Sequence, residues 1–457
     1  MEKISFTEIV EAVDGQIKNK QELNITNIST DTRTLQPGDL FIALIGDNFD
    51  GHQFIADAFQ KGAKAAIVSQ EVNLNQPLIK VEDTTVALQD LARYYRKKFS
   101  IPIVAVTGST GKTTTKDMVA AALGKKHKVL KTVGNFNNEI GLPLTLFRLD
   151  SSFDVAVVEM GMRGLGQIEQ LAQIAEPNLG IVTNVGVTHI ELLKSKEQIA
   201  EAKSELVSNL KNNGVAILNG DDEYVRKMDS LAPGKVITYG LEKYNQLRAV
   251  NIESLGESGL KFNLVVEGET YSKEIYLSTP GEYNVYNALA AICVGLVLEF
   301  DLNNIKEGLK ELKLSEMRNQ ILNSKSGFKI INDAYNANPT SMKAALDTLD
   351  EIVSARKIAV LGDMLELGEI SGEEHNKLGK LVANKGVDYL ITVGELASEI
   401  AVGAEKNGMK QGNIFSYLTK DKALEKILKI IKTDDTILVK GSRGMELEKI
   451  CYVLEDK

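Results

Sequence analysis

Ile103-Val104-Ala105-Val106-Thr107-Gly108-Ser109-Thr110-Gly111-Lys112-Thr113-Thr114 is the stretch from which the fold of this chain is read. Its opening is a continuous apolar run, the signature of a strand buried on both faces of a parallel sheet. A glycine-rich turn, a lysine, two threonines and a helical pattern expected over Thr114–Leu123 follow. Phosphate binding needs that order. Glycines let backbone N–H groups approach phosphate oxygens, and a helix N-terminus adds a favourable dipole. Gly108, Ser109, Thr110, Gly111, Lys112, Thr113 and Thr114 are therefore candidate ATP-binding residues. Lys112 has the reach for the β- and γ-phosphates, and the Thr113 hydroxyl is a candidate Mg²⁺ ligand. Val106 stands where the usual G-x-x-x-x-G-K-[ST] pattern has its first glycine, so the loop is a variant.

Working outward, apolar runs recur at Val155–Val158, Ile181–Thr183 and Val215–Leu218 with helical patterns between them. Alternation of this kind predicts a central α/β domain with a doubly wound, mostly parallel sheet. Asn251–Tyr276 reads as a hairpin or small sheet, and an apolar helix after Asn287 closes the block. Upstream, strand patterns at Phe41–Leu44 and Ala65–Ser69 flank a helical one at Gln53–Lys61. Thr84–Lys98 is amphipathic, with Leu88, Leu91, Ala92 and Tyr95 on one face. Downstream, Phe328–Asn332, Lys357–Leu361, Tyr389–Val393 and Thr436–Val439 repeat the α/β pattern. The expected architecture is three α/β domains: a small N-terminal one over 1–99, the central one over 100–313 and a Rossmann-like C-terminal one over 314–457.

The net charge of -9, without a cationic cluster, argues against nucleic acid as a partner. Two cysteines far apart, Cys293 and Cys451, exclude a disulfide framework and suit a reducing cytoplasm. Met1–Val13 lacks the apolar core of a signal peptide. The longest apolar run, Ala288–Leu298, falls short of the ~20 residues a membrane span needs.

In an open α/β sheet, ligands sit beyond the C-terminal strand ends. Glu159 directly follows one apolar run, and His189 lies a short loop beyond another. If both strands flank the phosphate-loop strand, Glu159 and His189 converge on the metal held by Thr113. Taken alone, the first is equally a salt-bridge partner and the second a loop residue. Lys203, inside a helical stretch, reads on residue physics as a solvated helix lysine.

These segments, together with Gly134–Pro143, Asp333–Met342, Gly362–Gly368 and Lys440–Met445, resemble the Mur ligase family. The resemblance implies an ATP-dependent amide ligase of peptidoglycan-precursor synthesis. Its small-molecule substrates would be UDP-N-acetylmuramoyl-tripeptide and D-alanyl-D-alanine, and the chain would act as a cytoplasmic monomer. It implies one domain for the UDP-sugar, one for ATP and one that closes over the site. Lys112, His189, Lys203 and Arg318 would be catalytic, and Thr113, Glu159, His189 and Lys203 would hold Mg²⁺. Lys203 would be carbamylated to bridge a second ion, which reverses the solvated reading. Asn284 and Asn287 would lie near the adenine, and Arg318 and Asp333 would reach the γ-phosphate and ribose. Ser29, Thr30, Asp31, Arg33 and Phe41 would contact the UDP-sugar. Asn137, Asn138, Glu139, Asn336 and Asn338 would contact the remaining substrate. The sister ligase that adds the third residue carries Asp-Asn-Pro-Arg, but this chain reads Asn336-Ala337-Asn338-Pro339-Thr340. The missing arginine fits a dipeptide rather than a single amino acid as the incoming group. A nucleotide-dependent switch is the competing class, although no phosphate-sensing loop is evident.

Overall fold

The computed structural model describes residues 1–19, 21–267 and 269–457, with the side chains of 270–273 outside the description. Three α/β units follow one another, each built on its own main sheet. The first sheet runs Gln16–Lys18, Leu78–Lys80, Ala65–Val68, Leu40–Ile42, Ile28–Ser29, parallel except for its first pair.

The central sheet has nine strands: Val129–Lys131, Val155–Glu159, Ile103–Thr107, Leu179–Val182, Val215–Asn219, Lys235–Gly240, Leu247–Ser254, Leu260–Val266 and Glu269–Leu277. The first seven pair in parallel and the last two antiparallel. The region read as a hairpin or small sheet is joined to the main sheet, whose strand Leu247–Ser254 pairs through Tyr239↔Leu247 and Gly240↔Arg248. Sequence pattern cannot distinguish a free hairpin from one whose outer edge is paired. The third sheet runs Gln320–Asn323, Lys329–Asn332, Thr436–Lys440, Lys357–Gly362, Tyr389–Val393, Ile414–Tyr417, again parallel except for its first pair.

Ile103–Thr107 is buried along its whole length because its residues alternate between two cores. Val104 and Val106 pack with Met118, Val119 and Ala122 of the Lys112–Leu123 helix and with Ala288, Leu289 and Ile292. Ile103 and Ala105 face the other way, into a core shared with Leu88, Leu91, Ala92 and Tyr95. The Thr84–Arg96 helix, read as part of the first unit, packs against the Gly141–Leu146 and Gln167–Ala175 helices of the central unit as well as against the first-unit strand Ala65–Val68. Asp83 caps it by accepting from Thr85 N at 2.6 Å and Val86 N at 3.1 Å. Tyr95 Oη donates to Leu149 O at 2.6 Å. Leu91, with no exposed surface, contributes about 2 kcal/mol by burial.

The same junction carries an ion cluster. Glu176, in a left-handed conformation after its helix, meets Lys97 at 3.0 Å, Lys211 at 3.0 Å and Arg93 at 3.4 Å. Burial acts to raise its carboxyl pKa, but Lys97 and Lys211 outweigh it and hold the group down at about 2. A depressed carboxylate stabilises the fold above its unfolded pKa and loses that effect as pH falls toward the folded value. Wild type is therefore expected to be more stable than Glu176→Gln by about 1 kcal/mol at neutral pH, given the half-exposed lysines. In denaturant melts this gap should shrink as pH drops below about 4.5 toward 2.

Candidate active site

The phosphate-loop strand lies between Val155–Glu159 and Leu179–Val182, satisfying the condition set by the sequence. The loop is held from the second neighbour. Ser109 N donates to Asn184 O at 3.0 Å and Thr110 N to Asn184 Oδ1 at 3.0 Å, while Thr183 Oγ1 donates to Thr110 O at 2.6 Å. Thr183 and Asn184 were not singled out from sequence; their signal is polar side chains immediately after a buried strand. Gly108 at φ +149° and Gly111 at φ +79° take backbone conformations that disfavour a side chain. The helix begins at Lys112, two residues before its expected start, because Gly111 serves as its N-cap. Lys112 Nζ donates to Gly108 O at 2.7 Å, and burial lowers its pKa.

Glu159 is 3 % exposed at the end of its strand. It accepts from Thr113 Oγ1 at 2.9 Å and from Asn137 Nδ2 at 2.8 Å. Arg318, from the far side of the site, donates to Thr113 Oγ1 at 3.0 Å and stacks on the Tyr335 ring at 4.0 Å. Arg318 Nε is buried without a hydrogen-bond partner. Thr115 Oγ1 donates to Asn287 Oδ1 at 3.0 Å, and Asn287 Nδ2 to Asn284 Oδ1 at 3.1 Å, which ties both asparagines to the helix after the loop. Asp333 accepts from Lys440 Nζ at 2.5 Å and from Asn319 N at 3.0 Å.

His189 caps a short helix in a left-handed conformation, φ 62°, and its Nδ1 lies 2.5 Å from Glu366 Oε2. Glu366 is also left-handed at φ 62°, and the His189 contact lowers its carboxyl pKa. Lys203 overturns the solvated reading: it is 2 % exposed, and desolvation, with Lys112 adding repulsion, holds its pKa well below the usual lysine value.

One cavity of about 900 Å³ collects these groups. Its walls include the 109–114 loop, Glu159, His189, Lys203, Asn284, Asn287, Arg318 and Asp333, with Asn137, Asn138, Glu139, Asn336 and Asn338. Several of the asparagines also have structural duties. Asn138 Oδ1 accepts from Gly141 N, and Asn338 caps the Pro339–Glu351 helix while its Nδ2 reaches Thr188 Oγ1 at 3.2 Å.

No described residue before 100 lines this cavity. Ser29 bonds with the Asp31 backbone and Arg33 pairs with Asp31 at 2.6 Å, within the first unit. Phe41, expected to touch substrate, is instead 1 % exposed and packed against Leu35, Ala43, Ile55 and Ala58. As the middle residue of a wholly buried strand, its side chain is consumed by the core. Among the described residues no three His, Cys, Asp or Glu side chains gather into a metal cage. The donor set at Thr113 and Glu159 instead suits an ion completed by phosphate and water oxygens, as Mg²⁺ prefers.

A phosphate loop on one α/β unit, faced by an arginine that begins another, defines a nucleotide-using enzyme whose site is assembled between domains. Three family models match the chain: the Mur ligase family catalytic domain over 24–104, the Mur ligase middle domain over 106–295 and the Mur ligase glutamate ligase domain over 317–443. The chain belongs to the Mur ligase family. It is 39% identical to the UDP-N-acetylmuramoyl-tripeptide–D-alanyl-D-alanine ligase of Bacillus subtilis, over 98% of both chains. A crystal structure of MurF from Acinetobacter baumannii superposes with a TM-score of 0.92 at 31% identity, covering 100% of both chains. MurF ligase from Thermotoga maritima in complex with ADP gives 0.83 at 29% identity, over 94% of this chain and 97% of that one. No helix among the described residues is long and apolar enough to cross a membrane.

Proposed function

We propose that this enzyme joins D-alanyl-D-alanine to UDP-N-acetylmuramoyl-tripeptide, using ATP and releasing ADP and phosphate, to give the UDP-N-acetylmuramoyl-pentapeptide. The observation that carries this is similarity to the Bacillus subtilis ligase along 98% of both chains, first unit included. We assign 1–99 to the UDP-sugar, 100–313 to ATP and 314–457 to closure, and place the reaction of these water-soluble nucleotides in the cytoplasm of the cell.

A carboxylate and an amine do not condense in water because hydroxide is a poor leaving group. Here the tripeptide carboxylate attacks the γ-phosphate of ATP, ADP leaves, and an acyl phosphate forms. The dipeptide amine then attacks the acyl carbon, loses a proton and expels phosphate. Lys112, within the loop that would hold the γ-phosphate, and Arg318, bonded to that loop at Thr113, would spread the charge that develops there. Thr113 and Glu159 would hold Mg²⁺, with His189 of the same cavity as the further ligand the family resemblance implies, and the ion would neutralise phosphate charge when bound. A carbamylated Lys203 would supply the carboxylate for a second ion. Burial, with Lys112 nearby, holds the amine's pKa well below the usual lysine value, which favours the uncharged, nucleophilic form relative to an exposed lysine. Asn284 and Asn287 suit the adenine side and Asp333 the ribose. Thr340, where the sister ligase carries arginine, lines the cavity and supports a dipeptide as the incoming group.

The test is ADP release with ATP, Mg²⁺, the UDP-tripeptide and D-alanyl-D-alanine. Release that depends on both substrates, with pentapeptide seen by mass spectrometry, is expected. Dependence on a single amino acid in place of the dipeptide would refute the assignment.

A further inference from the structure

The segment entering the third unit is attached to the ATP unit at two points. Asp117 lies one turn after Thr113 on the Lys112–Leu123 helix, so the two share a face. Asp117 is 2 % exposed, and its two oxygens have different partners. Oδ1 accepts from Lys131 Nζ at 2.7 Å and lies 3.4 Å from Lys116 Nζ. Oδ2 accepts from Ser315 N at 3.0 Å and Ser315 Oγ at 2.7 Å. Three residues later Arg318 bonds Thr113. The pair Asp117–Ser315 and Thr113–Arg318 thus lays the segment along the helix.

The backbone around Arg318 needs this hold. Met317 at φ 57° and Asn319 at φ 47° are both left-handed, a conformation that is strained for a residue with a side chain and persists only where surroundings impose it. Around Arg318 both units make contacts: its guanidinium stacks on Tyr335 of the third unit, and Asn319 Nδ2 donates to Pro280 O of the ATP unit at 3.2 Å. Asn319 N bonds Asp333, within the third unit, and Tyr335 N bonds Met317 O at 3.3 Å.

We infer that Asp117 is a positioning residue: through Ser315 it holds the segment along the helix and so fixes Arg318 to the phosphate loop. This rests on the ligase reading, in which Arg318 serves the γ-phosphate. Burial acts to raise the Asp117 carboxyl pKa, but the buried Lys116 and the part-exposed Lys131 outweigh it and lower it. A carboxylate bonded twice to one residue is a stiff attachment, stronger than a neutral contact.

The experiment is a double-mutant cycle on the full chain, Ser315→Ala with Arg318→Ala, reading ADP release and Tm, with Ser315→Thr as the conservative control. Ser315→Ala is expected to lower kcat roughly tenfold, the scale of one lost charge-assisted hydrogen bond, and leave KM for the UDP-tripeptide within twofold. Ser315→Thr should restore the rate. In the Arg318→Ala background, Ser315→Ala should cost nothing further. Losses that multiply, or a Tm drop that accounts for the rate, would overturn the inference. Asp117→Asn should behave as Ser315→Ala if it folds; the serine variants, which leave the buried charges intact, decide the matter if it does not. Wild-type turnover with the two substrates, measured alongside, reports on the ligase reading separately.

Discussion

Lys203→Ala is expected to lower ligase turnover by roughly 10²–10³-fold, the range seen when one preorganised electrostatic contact to a transition state is removed, while the protein stays folded. The reasoning starts from burial. Lys203 lies on the Lys196–Ser208 helix, is 2 % exposed, and still lines the cavity. Desolvation and the nearby Lys112 both disfavour its ammonium form. A neutral amine reacts with CO₂ to give a carbamate and release one proton, converting a buried base into a carboxylate. If this is its role, acetate should rescue Lys203→Ala in part, and Lys203→Arg, which keeps the charge but forms no carbamate, should remain inactive. Stripping bicarbonate should slow wild type and leave the variant unaffected. Full turnover of Lys203→Ala, measured as dipeptide-dependent ADP release, would remove the residue from the mechanism.

Gly108→Ala is the second large effect. At φ +149° the backbone already disfavours a side chain, and a Cβ there would meet Thr183 Oγ1 at 1.8 Å. Thr183 cannot simply rotate away without breaking its 2.6 Å bond to Thr110 O, one of the contacts that shape the loop. The loop must shift, and misplacement by about 1 Å costs on the order of 10²-fold in rate. ATP affinity by calorimetry should fall together with kcat/KM. Gly372→Ala, where a Cβ meets nothing within 4 Å, is the matched control and should behave as wild type.

The phosphate loop and the strand before it were legible because every requirement there is local: apolar continuity, glycine, lysine and hydroxyl in fixed order. Glu159 and His189 were legible only conditionally, since their value depended on which strands neighbour Ile103–Thr107. Lys203 was misread from residue physics, because helical periodicity does not say what the lysine face packs against. For Phe41, expected at the UDP-sugar, periodicity likewise did not say that the side chain packs into the core of the first unit. Asp117 was not singled out, and Glu366 stood only within the Gly362–Gly368 segment, without a role of its own. Their partners, Ser315 and His189, lie far away in the chain.

What the sequence determined alone was the type of each element, its order, and the chemistry of the loop, because hydrogen-bonding period and turn geometry act over a few residues. Tertiary structure alone decided that one strand would have Glu159 on one side and Asn184 on the other. It alone took Lys203 out of water and brought Arg318 back to Thr113. Those outcomes come from sheet order and side-chain packing, which bring together residues that no local pattern relates, and which set the charge a buried group carries.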